Sequence, residues 1–350
     1  MVSIASLFSQ GTEAYAANRL PATGARATDT DSQKKAADTG ADTAVTVGLS
    51  PEAQDLLKAQ SAQNAVFDAK VSYYKQFRPT YDGFSARNLA LGIVDPGAQP
   101  FSQNRSPADV AQAARDSMDA SYETMRQIGM PFGETGVAGK DVYSLYGELD
   151  RRALYTVASN EGGLFTETEQ SQARDLMRGQ QGMAMGGYWG PTELAGKFVS
   201  QTNTEEKFKA GILFMDRASA EEKAGDVEWA HQRAIMQDAY EDIVAGRGGT
   251  PDNFDIDHPL VKLIREAIDA WKTNPGMTSS GRVETADDLR IEEWFEGFAD
   301  RLDRAISETL QQYEADLQRQ RTLDNEARLQ YEADLQQQQT LDAETARLTV

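Results

Sequence analysis

The chain of 350 residues contains no cysteine and only two histidines, His231 and His258. Without cysteine, it forms no disulfide, no thiolate metal site and no cysteine nucleophile. With two histidines, a multi-histidine metal site cannot form within one chain. The serine-hydrolase motif GxSxG and the phosphate-loop motif GxxxxGK[ST] are also missing from the sequence. The sequence therefore predicts no catalytic and no cofactor-binding residues.

Positive charge and long apolar runs are also scarce. The formal net charge is −20, from 55 acidic residues against 35 lysines and arginines. A field of this sign repels phosphate backbones and anionic lipid head groups, which argues against nucleic-acid binding. No apolar run approaches the length of a bilayer-crossing helix, so we expect no membrane span. The charge favours instead a protein partner with a basic or mixed surface.

The first 48 residues are predicted to be a disordered tether. Residues 20–48 consist largely of Ala, Thr, Asp and Gly, and carry too little apolar surface to offset the entropy of ordering. Residues 1–20 (MVSIASLFSQGTEAYAANRL) lack the basic segment and long apolar core of a Sec signal. They are rich in Ser and Ala, with Glu13 as the single acid, and resemble the N-termini of bacterial flagellar and type III export substrates. The resemblance implies a bacterial protein, cytoplasmic or exported without a Sec signal.

Beyond residue 48 the patterns are those of an all-α protein, because no segment alternates in the manner of a strand. The predicted organisation is a disordered N-terminal tether, a helical body and a long projecting C-terminal helix. Its predicted divisions are residues 1–48 (tether), 49–104 (helix and connection), 105–284 (helical body) and 285–350 (long acidic helix). The start signals are two serine–proline pairs and two capping boxes: Ser50-Pro51, Ser106-Pro107, Thr166 with Glu169, and Ser219 with Glu222. A further helix is predicted from residue 141 to residue 159.

The C-terminal helix contains a tandem repeat. Residues 312–329 and 330–347 are identical at 12 of 18 positions. Eighteen residues make about five helical turns, so the second copy restores nearly the same face of a straight helix. Residues 285–350 carry 16 acids and seven arginines but no lysine. We expect the first half, with Trp294, Phe295 and Phe298, to dock on the body, and the polar second half to project.

The apolar stripe of this helix is the main predicted partner-binding surface. Its candidate residues are Tyr313, Leu317, Tyr331 and Leu335. Their helical spacing places them close to one face. The same stripe leaves self-association through the C-terminal helix open as an alternative.

Residues 158–169 (ASNEGGLFTETE) lie between two predicted helices, in the arrangement of a helix–loop–helix calcium site. The segment resembles the twelve-residue EF-hand loop, with Asn160 at the third position, Gly163 at the turn and Glu169 at the twelfth. The resemblance implies Asn160 and Glu169 as calcium ligands. It departs from the family at the first and fifth positions, which are Ala158 and Gly162. The alternative is a helical hairpin whose second helix is capped by Thr166.

A second candidate metal site is the acidic run DNFDIDH. Asp252, Asp255 and Asp257 bring three carboxylates within six residues, a donor set that suits a hard divalent cation such as calcium. The alternative is a solvated turn that ends in an aspartate N-cap before Pro259.

The segment GQQGMAMGGYWGP, residues 179–191, is predicted to be a flexible loop. Met183, Met185, Tyr188 and Trp189 give it adaptable contact area of the kind found at protein interfaces. The loop is therefore a candidate partner-binding tip or lid. The alternative is that its aromatic residues pack onto the core.

Together these features favour a non-enzymatic bacterial helical interaction or adaptor protein without a cofactor, possible export being a sub-hypothesis. The first alternative is a calcium-responsive helical module that uses one of the two acidic segments. The second alternative is an enzyme of unknown class with a site near the GGYWG sequence and the carboxylates of Glu161 and Glu193.

Overall fold

The computed structural model describes residues 51–133, 139–273 and 283–348, and these ranges are all-α, without a strand. This confirms the predicted fold class; the predicted tether, residues 1–48, lies outside the described residues. The α-helices of the described ranges are α1 (Pro51–Lys75), α2 (Arg87–Val94), α3 (Pro107–Gln127), α4 (Lys140–Tyr146), α5 (Arg151–Ala158), α6 (Glu167–Ala184), α7 (Thr204–Asp216), α8 (Ala220–Gly225), α9 (Val227–Gly246), α10 (Pro259–Lys272), α11 (Ala286–Ile291) and α12 (Ala299–Leu348). Short 3-10 helices cover Glu161–Gly163, Thr192–Lys197 and Glu293–Phe298.

The chain divides into two compact units, one ending at Gln76 and one beginning at Phe77. The described part of the first unit is α1. All other helices belong to the second unit, which contains every site considered below.

The first core of the second unit is built by α2 to α6. Ser106 begins α3 as predicted, because its hydroxyl accepts a hydrogen bond from the backbone N–H of Asp109 at 3.2 Å. Met118 and Met125, one apolar face of α3, are fully buried. They pack in one cluster with residues of α4 to α6, including Leu145 and Leu154.

The helix predicted from 141 to 159 is in fact two helices, α4 and α5. A Cβ atom on Gly147 would lie 1.9 Å from the carbonyl oxygen of Ser85, so the chain passes this point in close backbone contact. The new helix then starts at Asp150, whose carboxylate accepts from the N–H of Ala153 at 3.0 Å. Asp150 also accepts from the N–H and hydroxyl of Ser102, which ties the preceding segment to this break.

A second, smaller core joins α7 to α9 around Ile212, Tyr240 and Val244. Arg233 of α9 is fully buried beside it and forms two hydrogen bonds with the carboxylate of Asp216, at 2.6 and 3.1 Å. The same guanidinium donates to the carbonyl of Phe254 at 2.7 Å. One buried cation thus fixes the acidic segment that precedes α10.

The long C-terminal helix does not start at residue 285 as predicted. Glu292 has extended backbone geometry (ψ 122°) and separates α11 from the 3-10 turn. Its buried carboxylate accepts from the indole N–H of Trp294 at 2.9 Å. The interruption turns Trp294 and Phe295 into the core, as predicted for the docked half, and leaves Ile291 73% exposed.

The inner part of α12 is docked on α10. Leu302, Ala305 and Thr309 of α12 are buried. The Thr309 hydroxyl accepts from the backbone N–H of Leu260 at 3.3 Å and donates to the carbonyl of Ala305 at 2.8 Å. None of the helices in the described ranges combines the length and the apolar character that a bilayer crossing requires.

Candidate functional site

The outer helix, which we define as residues 318–348, is the C-terminal part of α12 and follows its inner part without a break. Leu329 is 59% exposed and Leu335 is 43% exposed. Of the other predicted partner-binding residues on this helix, Tyr313 and Leu317 precede the outer helix and are half-buried. The side chain of Tyr331 lies outside the described residues. The predicted stripe therefore includes both docked and exposed positions.

The charge of the outer helix is lower than that of the inner segment. Residues 318–348 hold six acids and four arginines, whereas residues 285–317 hold ten acids and three arginines. Seven glutamines make up much of the remaining surface of the outer helix. The charge of the outer helix is therefore mixed rather than strongly acidic, so it suits a partner surface of mixed charge.

The segment predicted to be a flexible loop, residues 179–191, is helical as far as Ala184, because α6 continues through it. The remaining loop, which we call the Trp189 loop (residues 185–191), is anchored at its inner side. Met183, two residues before the loop, is fully buried. Met185, the first residue of the loop, lies beside Gly211 of α7. The Tyr188 ring meets the rings of Phe77 and Phe198 at centroid distances of 5.7 and 5.4 Å. Among the predicted loop residues, Trp189 alone is largely exposed, at 49%.

A buried arginine holds this loop in place. Arg78 donates through Nη1 to the carbonyl oxygen of Trp189 and through Nη2 to the sulfur of Met183 at 3.2 Å. Its guanidinium lies 5.1 Å from the ring centroid of Tyr143. Burial lowers the pKa of Arg78 from its ordinary value. The buried Arg78 therefore links the loop to the core through its hydrogen bonds and its contact with the Tyr143 ring.

The two predicted ligands of the EF-hand-like loop have protein partners. The Asn160 side chain accepts from the N–H of Phe165 at 3.0 Å. Glu169 forms the predicted capping box with Thr166, and its other oxygen accepts from Arg115 Nη1 at 2.9 Å. Although burial acts to raise it, hydrogen bonds from Thr166 and Arg115 hold the pKa of Glu169 below its ordinary value.

The three aspartates of the second acidic segment point to three different cations. Asp252 pairs with Lys209 at 2.6 Å. Asp255 pairs with Arg265 at 2.7 Å, and Asp257 pairs with Lys262 at 2.5 Å. In the described ranges, no three carboxylates or histidines are grouped in a way that would hold a metal ion. Calcium binding at either segment stays a prediction.

His258, rather than an aspartate, caps α10. Its Nδ1 accepts from the N–H of Val261 at 3.3 Å, and its Nε2 lies 2.9 Å from the carbonyl of Lys223. This pair of contacts fits the neutral tautomer with the proton on Nε2. Burial lowers the pKa of His258, and lowers that of His231, which stacks on Trp294, to about 4. Both histidines therefore have structural partners.

A cleft that the sequence did not predict lies between α5, α6, α7, α8 and α9. Its volume is about 230 Å³. Asp226, at the N-cap of α9, is partly buried in its wall, and burial together with the charge of Glu222 raises the pKa of Asp226 to about 7. The lining residues come from five separate helices and the segment at Glu284, so no local motif could reveal them.

Comparisons with known proteins add no identity to these sites. No family model matches this chain, and no curated protein and no solved structure is significantly similar to it. Function must therefore be inferred from the residues and their geometry.

Proposed function

We propose that the protein is a non-enzymatic bacterial interaction protein whose outer helix binds a protein partner. The observation that carries this proposal is the exposure of Leu335, at 43%, on a helix whose inner part is docked. Tyr331 precedes Leu335 by four residues, so helical geometry places the two on the same face. Leucine and tyrosine in this arrangement are the anchors that a groove on another protein would accept.

The composition of the outer helix supports this role. The stability of an exposed stretch of helix depends more on the intrinsic preferences of its own residues. Ala, Leu, Gln, Glu and Arg, all strong helix formers, make up most of residues 318–348. The segment is therefore suited to remain helical before it meets a partner. Its six acids and four arginines suit a partner with a mixed surface.

The test is affinity capture from a lysate of the source organism with the full chain and with a Tyr331→Lys, Leu335→Lys double variant. We expect the double variant to lose at least one protein that the wild type retains. The matched control is Gln330→Lys with Gln337→Lys, which adds the same charge to exposed positions about 100–160° away around the same helix. Retention of the same proteins by all three chains would contradict the proposal.

Self-association through the same helix is part of this proposal as an alternative outcome. Light scattering should compare the full chain with the chain that ends at Gln311. An equal number of subunits in both would remove the C-terminal repeat as an oligomerisation element.

Export by a flagellar or type III route rests on residues 1–20 alone. Fusion of residues 1–50 to a reporter protein should cause its secretion from a host that has such an apparatus. Retention of the reporter in the cell would argue against the route, without affecting the role of the outer helix.

The calcium and enzyme hypotheses stay alternatives. Calorimetry at millimolar calcium tests the first, since heat that disappears in a Glu169→Gln variant would assign binding to the EF-hand-like loop. For the second, Glu161 and Glu193 are both exposed, and no substrate follows from their surroundings.

A further inference from the structure

The cleft between α5, α6, α7, α8 and α9 is a small one. Its volume of about 230 Å³ lies below the ~300 Å³ at which pockets for drug-sized ligands begin, so it suits a small ligand. Its lining contains both apolar and charged groups. It lies apart from the outer helix, so its function is independent of the partner binding proposed above.

Asp226 supplies the cleft with an acid that has no cationic partner among the described residues. Its carboxylate caps α9 by accepting from the N–H of Trp229 at 3.2 Å. The charged groups that act on it most strongly are the carboxylates of Glu222 and Glu228. Nearby cations are already engaged, because Arg151 forms a bidentate pair with Glu222, at 2.6 and 3.0 Å. A carboxylate placed in this way favours a positively charged ligand.

Arg174 supplies the opposite charge. It lines the same cleft and donates through Nη1 to the carbonyl of Ala158 at 2.8 Å. Within the described ranges no carboxylate lies within ion-pair distance of it, although its charge acts to lower the pKa of Glu228 in the same cleft. Its neighbour Arg178, by contrast, is shared among Asp175, Glu228 and Glu284. The remaining donors of the Arg174 guanidinium suit a carboxylate, which guanidinium groups bind in a forked geometry.

The lining of the cleft also includes apolar and aromatic residues. Trp229 is fixed by its indole N–H, which donates to the carbonyl of Met215 at 3.2 Å. The side chains of Met177 and Met215 also line the cleft, and thioethers adapt to ligands of different shape. The cleft therefore offers an apolar surface for the uncharged side chain of a ligand.

A glycine keeps part of the cleft open. A Cβ atom on Gly225 would lie 2.6 Å from the hydroxyl oxygen of Tyr155. Both residues line the cleft. The Tyr155 hydroxyl is thus available as a further hydrogen-bond partner only because residue 225 has no side chain.

We propose that this cleft binds a small amino acid, with its ammonium group at Asp226 and its carboxylate at Arg174. One ligand of this class satisfies both unpaired charges, and its side chain contacts Trp229, Met177 and Met215. An amine alone or a carboxylic acid alone would leave one of the two charged groups without a partner, which costs affinity.

The experiment is isothermal titration calorimetry of the full chain with each of the standard L-amino acids at millimolar concentration and at a pH of about 8. The amino acid that binds best is then compared with the amine that lacks its carboxylate and the acid that lacks its amine. We expect each analogue to bind about tenfold more weakly or worse. An absence of heat for every standard amino acid would overturn the proposal, as would equal affinity of the amine analogue.

Variants assign the two ends of the ligand. Asp226→Asn should weaken binding about tenfold or more while it preserves the N-cap, because asparagine caps helices as well as aspartate does. Arg174→Gln should weaken binding to a similar extent, and Arg174→Lys should recover part of it. Unchanged affinity in Asp226→Asn or in Arg174→Gln would overturn the assignment.

A glycine pair provides the steric control. Gly225→Ala should reduce binding, because its methyl group meets the Tyr155 hydroxyl. Gly246→Ala, at the end of α9, places a methyl group where nothing lies within 4 Å and should bind as the wild type does. Thermal melting of each variant separates loss of binding from loss of fold. Equal binding by the two alanine variants would count against the cleft as the site.

Discussion

The two copies of the C-terminal repeat share most of their residues but not their surroundings. In the first copy, Tyr313 and Leu317 are half-buried, and the charge of Asp316 acts on Lys223 of α8. In the second copy, Leu335, the counterpart of Leu317, is 43% exposed. The same side chain in the same repeat position is therefore partly covered at one site and open at the other.

This difference shows that packing on the body cannot explain why the second copy retains the pattern of the first. Inner positions of α12, such as Leu302, contribute through burial. Positions of the outer helix contribute through the helix propensity of their residues and through the surface that they expose. Inner and outer groups of similar chemistry should consequently differ in their effects on stability, and the following predictions test that expectation.

The largest difference is expected between a buried and an exposed ion pair. Glu222→Gln leaves the Arg151 guanidinium, 4% exposed at its side chain, without a carboxylate partner, and should cost about 4 kcal/mol. Arg319→Gln removes the exposed Arg319–Asp316 pair of α12 and should cost less than about 0.5 kcal/mol. Urea unfolding measures both values. Equal costs would contradict the distinction between the body and the outer helix.

Leucine truncation should give the next largest difference. Leu302→Ala creates a cavity at a fully buried position and should lower the free energy of unfolding by about 3 kcal/mol. Leu335→Ala removes an exposed side chain from a helix in which alanine is favoured, so the change should be within about 0.5 kcal/mol of zero. A large loss in Leu335→Ala would mean that the outer helix is buried in solution, for instance against a second copy.

A change at Asp226 should stabilise the protein in a pH-dependent way. Its folded-state pKa of about 7 lies above the ordinary value of 3.8, so ionisation in the folded state is unfavourable. Between pH 4 and 7 the folded wild type therefore loses stability as the pH rises. Asp226→Asn lacks this loss and should be more stable than the wild type by on the order of 2 kcal/mol near neutral pH, after a discount for partial exposure.

The pH profile of that variant provides the check. The stability difference between Asp226→Asn and wild type should be smallest near pH 4 and largest above pH 7. His231, with its pKa lowered to about 4, acts in the opposite sense, because the unfolded chain binds its proton first as the pH falls below 6.5. It is present in both proteins and cancels in the difference. A difference that is constant with pH would contradict the shifted pKa.

The smallest predicted difference concerns two threonines of α12. Thr309→Val removes a buried hydroxyl that bonds both Leu260 and Ala305, and should cost about 1 kcal/mol. Thr322→Val removes an exposed hydroxyl that donates only to the carbonyl of Gln318, and should be nearly neutral. Thermal melting resolves the two. Equal shifts in the melting temperature would show that the bond to Leu260 adds nothing to the docking of α12.

The sequence predicted what depends on neighbouring residues. The starts at Ser106-Pro107 and Thr166 are local signals, because a cap satisfies N–H groups two or three residues away. The all-α class and the long helix followed from periodicity in the same way. The burial of Trp294 and Phe295 was also predicted.

The predictions failed where distant segments decide the local geometry. The break between α4 and α5 lies where the carbonyl of Ser85 approaches Gly147 closely. The interruption at Glu292 lies where the Glu292 carboxylate accepts a hydrogen bond from the indole N–H of Trp294. The cleft with Asp226 needs five helices to bring its lining together. Partners of the acidic segments, such as Arg115 for Glu169, were likewise unpredictable, because they lie far away in the chain.

The exposed indole of Trp189 is restrained before it meets anything. A Cβ atom on Gly179 would lie 2.6 Å from its ring, so only glycine lets the indole settle so closely on α6, while Arg78 holds its carbonyl. A side chain with few accessible rotamers loses little conformational entropy when a second surface covers it. Binding of a partner to this ring would therefore give a higher affinity, per unit of buried area, than binding to a freely rotating tryptophan.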